Sequence, residues 1–161
     1  MIVVADAGPL QYLVRIGAID VLAALYQRVF VPHIVVRELQ QKNTPATVRA
    51  WIVQPPSWFE ICPDPPTDPR LTFLDPGERA AISLALAIHA DRLLIDDLDG
   101  RIEARRRNLL VTGTVGVLAG AHIAGLLDFE QALTRLRQTN FYISDEVVER
   151  VRQDIGRADH T

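Results

Sequence analysis

Two spacings of hydrophobic positions alternate along the chain. Short apolar runs, Ile2 to Ala5, Arg28 to Val31, Trp58 to Ile61, Leu93 to Ile95 and Leu109 to Thr112, have the length of strands. Ile2 to Ala5 and Leu93 to Ile95 are apolar at every alternating position, as expected of strands covered on both faces of a parallel sheet. Between the runs, apolar residues recur at helical spacing. Pro9 opens a helix carrying Leu10, Leu13, Val14 and Ile16, and Gly17 ends it. Asp20 reads as the cap of Val21 to Tyr26, and Pro32 starts a helix with Ile34, Val35 and Leu39. Thr44 and Pro45 open another, through about Val53. Asp75 caps a helix whose Glu78 completes a capping box and whose Ala81, Ile82, Ala85, Leu86 and Ile88 form a broad apolar side. A basic helix follows over Arg101 to Asn108, then a small-residue helix over Gly113 to Gly125. Two amphipathic helices run from Asp128 onward, joined near Asn140 to Ser144. The proline-rich stretch Pro63 to Pro69 reads as a stiff connection within the domain. This alternation of strands and helices predicts an α/β fold, a parallel sheet wrapped on both faces.

Composition bounds this picture without changing it. A chain of 161 residues with 48% hydrophobic residues suits one domain with its own core. We expect a single domain over 1–161, with the last two helices, about 128–156, as a C-terminal extension. Cys62 has no partner in the chain, and no apolar run approaches the roughly 20 residues of a membrane span, so a cytoplasmic protein is expected. The opening MIVVAD lacks the basic lead of a signal peptide. A net charge of -3 argues against a general polyanion binder, yet leaves room for a local arginine patch.

Acids fall where the strands end. Asp6 follows the first apolar run directly, and Asp96, Asp97 and Asp99 follow the run ending at Ile95. Ligands of open α/β sheets bind outside the carboxyl ends of the strands. Glu38 lies one turn from Ile34 and Val35, near the buried side of its helix, where a carboxylate is unusual without a partner. Glu78 adds another acid at a helix start. Carboxylates gathered on one edge repel unless an arginine, a shared proton or a hard divalent cation lies among them. Each also has an ordinary explanation: Glu78 and Asp99 as helix caps, Glu38 as the partner of an arginine such as Arg37.

Taken in order, the blocks IVVADAGPL ending at Leu10, VVREL ending at Leu39, LDPGERAAI ending at Ile82, LIDD ending at Asp97 and VTGTVGVL ending at Leu118 resemble a PIN domain. More narrowly they are similar to the DUF3368 branch, close to VapC-type toxins. The resemblance spans nearly the whole chain. It implies a three-layer α/β/α fold with a central five-stranded parallel sheet, and a nuclease that cuts RNA with Mg²⁺ or Mn²⁺. Carried over by position, Asp6, Glu38, Glu78 and Asp97 form the site, Asp6 and Asp97 as inner ligands, with Asp96 and Asp99 as close alternates. Glu78 stands where many PIN toxins have aspartate. The tandem Asp96-Asp97 allows two alignments, of which Asp97 matches the acid following the strand and a polar residue. A small antitoxin partner and a homodimer joined through the apolar faces of the N-terminal helices are also implied.

Around these acids, Arg101 and Arg105 share a helical face and could hold the backbone of a single RNA strand, although such a run also reads as a solvated face. Thr112 or Thr114 could bond an acid or the phosphate, or act as a plain helix cap. Other chemistries fit less well. His33, His89, His122 and His160 are scattered, which gives no zinc spacing, and no Walker, Rossmann or nucleophile-elbow pattern occurs. A receiver-like signalling domain expects a lysine after the last strand, and the only lysine is Lys42. A PIN-like module that binds RNA or a protein without cutting is the alternative.

Overall fold

In the computed structural model, which describes residues 1–159, five short strands form one parallel sheet. They are β1 (Val3–Ala5), β2 (Val29–Pro32), β3 (Phe59–Cys62), β4 (Arg92–Leu94) and β5 (Val111–Thr112). His160 lies outside the described residues. The spatial order is β3-β2-β1-β4-β5. The chain therefore builds outward from β1 through β2 to β3, crosses back, and continues from the other side of β1 through β4 to β5. That reversal places a topological switch point between β1 and β4, which pair with Ala5 opposite Leu94. Asp6 is pinned there by its own backbone, whose N–H donates to the Leu94 carbonyl at 2.9 Å.

The strands are apolar on both faces because each face has its own core. Val3, Ala5, Val29, Val31 and Leu94 point into one, with Leu10, Leu13, Val35, Leu39, Val117 and Leu118. Val4, Leu93 and Ile95 point into the other, with Ile82, Ala85 and Ala104. The second layer is made by α5 (Pro76–Ala87) and α6 (Leu98–Arg106). The first is much thicker, drawing on α1 (Ala7–Arg15), α2 (Val21–Tyr26), α3 (His33–Leu39), α4 (Ala46–Val53), α7 (Thr114–Ile123), α8 (Phe129–Arg137) and α9 (Asp145–Asp159). The two last helices pack on α7 and give Phe129, Leu133, Leu136, Val148 and Ile155 to that same core. Tyr12 clamps their junction to α1: its hydroxyl donates to Asn140 at 3.0 Å and its ring meets Phe141 edge-on. No helix among the described residues is long and apolar enough to cross a membrane.

Most element ends shift by a residue or two from the sequence reading, and two of the larger shifts have a local cause. Helix α6 starts at Leu98, not Arg101, because the Asp97 carboxylate accepts the Gly100 N–H at 3.0 Å and turns the Asp-Gly step into a first helical turn. Strand β5 loses Leu109 and Leu110: the Leu109 N–H closes α6 on the Ala104 carbonyl at 3.0 Å, with Asn108 left-handed at φ 64°. The connection after β3 is irregular through Asp68, as its prolines require, and then makes a 3-10 turn over Pro69–Leu71. Asp68 caps that turn and binds Arg107, just past the end of α6, at 3.0 Å, fastening the connection to the helix layer.

The link from α2 to β2 carries strain. Gln27 has φ 72° and ψ -50°, and Arg28 N–H donates to the Tyr26 carbonyl at 2.8 Å, closing a tight three-residue turn. A Cβ is unfavourable in that conformation, and glycine, which lacks one, relieves it. Gln27→Gly is expected to raise stability by about 1 kcal/mol, roughly 2–4 °C in melting temperature. A melt by circular dichroism checks this, and a lowered midpoint would show that the turn is not strained.

Candidate metal centre

The acids of interest gather at helix ends along one edge of the sheet. Asp6 is the N-terminal cap residue of α1, Asp97 that of α6 and Asp75 that of α5. Glu38 reaches the same edge from the last turn of α3, where it meets the start of α5. Gly77 lets the Glu38 carboxylate lie against the start of α5, since a Cβ there would push that carboxylate aside.

Asp6 is the centre of the group. It is 7% exposed, and its Oδ1 is the one buried side-chain oxygen among the described residues that finds no donor. Burial, opposed by the Ala7 amide and then reinforced by Glu38, Asp75 and Asp96, pushes its pKa up to about 8. Glu38 is raised to about 7, first by desolvation and then by Asp75, with the Gly77 amide acting the other way. Glu78 is raised to about 8 by desolvation, by Asp75, and then by Asp97 and Asp6. These carboxyls disturb one another because they share an edge with too little positive charge between them.

The remaining candidates are distributed unevenly. Asp96, not Asp97, is the acid of the tandem pair that weighs on Asp6. Its two oxygens are held by α7: Thr114 N–H donates at 2.7 Å and the Thr114 hydroxyl at 2.6 Å. Burial still outweighs those bonds and raises its pKa. Asp97 is exposed, spends one oxygen on the α6 cap and faces Glu78. Asp99 is exposed in the first turn of α6, and among the described residues no hydrogen bond or ion pair joins it to the other acids. Glu78 makes the expected capping box, receiving the Asp75 N–H at 3.2 Å while Asp75 receives the Glu78 N–H at 2.8 Å. Asp75 belongs to the cluster as well, although its spacing to Glu78 announced only a cap.

Among the polar neighbours, Thr114 binds an acid, and Thr112 accepts instead from the Arg92 guanidinium. Arg101 is half-buried beside Asp96 and donates to the Ile95 carbonyl at 3.5 Å, with no ion pair among the described residues. Arg105 is exposed one turn further on.

Among the described residues, no three His, Cys, Asp or Glu side chains stand as a ready metal cage. The donor set nevertheless suits a hard cation. All its members are carboxylate oxygens, one of them buried without a donor, and several hold on to protons for want of neighbouring positive charge.

A parallel five-stranded sheet in this order, with acids gathered at the switch-point edge, defines a PIN-type α/β domain. Residues 2–157 match the family model DUF3368, described as a PIN domain, and the chain belongs to that family. PIN domains are generally nucleases that need divalent metal ions. The fold is also similar to that of a PilT N-terminus domain protein from the hyperthermophilic archaeon Sulfolobus solfataricus P2. That likeness has a TM-score of 0.51 at 12% identity and covers 89% of this chain and 100% of the other. No curated protein matches the chain.

Proposed function

We propose that the protein is a Mg²⁺- or Mn²⁺-dependent endoribonuclease acting on single-stranded RNA, the toxin of a toxin-antitoxin pair. The observation that carries this reading is the unpartnered Oδ1 of Asp6, buried among acids at the switch point. When bound, the divalent ion would supply a Lewis acid for the phosphate and lower the pKa of an attacking water. Asp6 and Asp96 would hold it from the inner side of the edge, with Glu38, Glu78 and Asp97 toward the mouth. Thr114 fixes the Asp96 carboxylate, so that its orientation does not depend on the ligand. Glu38 and Glu78, ionised once a cation lies beside them, would orient the attacking water and accept its proton. Arg105 is free to meet the RNA backbone, whereas Arg101 is partly committed to the Ile95 carbonyl.

The toxin role is supported by exposed apolar residues next to the acids. Phe73 and Leu98 are 63% and 66% exposed and lie within two residues of Asp75 and Asp97. A small antitoxin seated across the edge would cover both, and the protein would pair as a homodimer.

The test is incubation of single-stranded RNA with the protein and Mn²⁺, with and without chelator. Cleavage that chelator abolishes supports the proposal. Binding without cleavage would instead indicate a PIN module that recognises RNA and does not cut it.

Gly77→Ala probes the site without touching an acid. The added methyl displaces only the end of a flexible side chain, so stability should change by less than about 1 kcal/mol. Displacing Glu38 should weaken Mn²⁺ binding about 10-fold or more, on the scale seen when supporting groups of metal sites are lost. Isothermal titration calorimetry reads the affinity, and an unchanged value would remove Glu38 from the site.

A further inference from the structure

A cavity of about 680 Å³ opens between α1, α3, the loop from α3 to α4 and the start of α5. Glu38 and Asp75 form part of its wall, which makes it continuous with the acidic edge. The rest of the lining differs in kind. Gln11, Gln41 and Asn43 contribute side-chain amides, and Ile34 contributes apolar surface, with the buried Leu39 behind it. Among the described residues, none of those three amides is spent on a hydrogen bond elsewhere in the chain. The volume falls in the range of about 300–1,000 Å³ typical of small-ligand pockets.

Charge decides which part of a nucleotide such a cavity accepts. A phosphate here would face Glu38 and Asp75, and the one cation in the wall among the described residues, Arg37, already pairs with Asp64 at 3.3 Å. A nucleobase carries no charge, has two apolar faces and presents donors and acceptors along its edge. Side-chain amides engage such edges two bonds at a time, and adenine, with its N6 donor beside the N7 acceptor, is their best match. Bases splayed from a single RNA strand are read this way.

We propose that this cavity is a base-reading subsite for single-stranded RNA. With a phosphate at the acidic edge, the base of an adjoining nucleotide enters between Ile34 and the amides of Gln11, Gln41 and Asn43, with adenine preferred. The position of the phosphate rests on the ribonuclease reading, but base preference can be measured with or without cleavage.

The experiment compares the wild type with Gln41→Ala/Asn43→Ala and with Gln41→Glu on randomised single-stranded RNA in Mn²⁺, sequencing the new ends. Wild-type ends should show adenine enriched at one fixed position beside the cut. The double variant should lower that enrichment about 5-fold or more, the worth of one bidentate amide pair, while still cutting RNA. Gln41→Glu should move the preference toward cytosine, whose N4 amine a carboxylate accepts. Melting curves of all three proteins separate loss of reading from loss of fold. Cleavage with no base preference, or with the same preference in every variant, overturns the subsite and leaves the ribonuclease reading intact. If the wild type does not cut, that reading fails, and fluorescence anisotropy with oligoadenylate, oligouridylate and oligocytidylate decides the subsite alone. An adenylate preference lost in the double variant supports it. Equal affinities overturn it and leave the cavity to a protein segment.

Discussion

Asp6→Asn is expected to abolish RNA cleavage, by more than about 100-fold, and yet to make the metal-free protein more stable at about pH 8. The two effects share one cause. The buried Asp6 carboxyl has its pKa raised to about 8 by desolvation and by neighbouring acids, whereas in an unfolded chain it titrates near the ordinary value of about 4. Between those values the folded state holds a proton that the unfolded state has released, so stability falls as the pH rises. The contribution is fully present below about 4 and is lost progressively as the pH climbs through about 8, with Glu38 and Glu78 adding in the same direction through about 7 and 8. Asparagine keeps the shape and removes the charge, which should gain roughly 2 kcal/mol at about pH 8, or about 5 °C in melting temperature. Added Mn²⁺ should raise the wild-type midpoint strongly at about pH 8 and weakly at about pH 5, and leave Asp6→Asn unmoved at both. A variant less stable than the wild type at the higher pH would mean that Asp6 is already neutralised in the fold.

Asp96→Ala is expected to cost at least about 100-fold more cleavage activity than Asp97→Ala. Asp96 adjoins Asp6, is bound twice by Thr114 and loses most of its contact with water, whereas Asp97 is exposed and has one oxygen taken up by the Gly100 amide. Asp97→Ala should instead show itself in stability, by about 1 kcal/mol for the lost helix cap. Initial rates on one RNA with matched Mn²⁺, beside melts of both variants, check the pair. Equal losses of rate would place both carboxylates at the metal.

This pair also marks where the sequence stops being informative. Two apolar runs each ending in an acid are enough to predict β1 and β4 and to put Asp6 and the tandem aspartates on one edge. Which aspartate turns inward depends on α7, whose N-terminus takes up Asp96, and that contact spans 18 residues. Asp75 is legible as a cap because capping is local; its pressure on Asp6 and Glu38 requires α5 to start beside α3. The start of α6 was hidden because Asp-Gly suits a turn as well as a helical first turn. Gln11, Gln41 and Asn43 follow no spacing at all, since α1, α3 and a loop meet around them only in three dimensions.

The central place of β1 bears on how the protein responds to a ligand. Strand partners on both sides hold the backbone up to Asp6, so amide protons of β1 should exchange with deuterated solvent among the slowest in the molecule. Glu38 and Glu78 stand on the ends of short helices near the surface. Adjustment to cargo would then come from those outer arms closing against a fixed anvil, and protection gained on adding Mn²⁺ should appear in the Asp75 to Glu78 turn and not in the sheet.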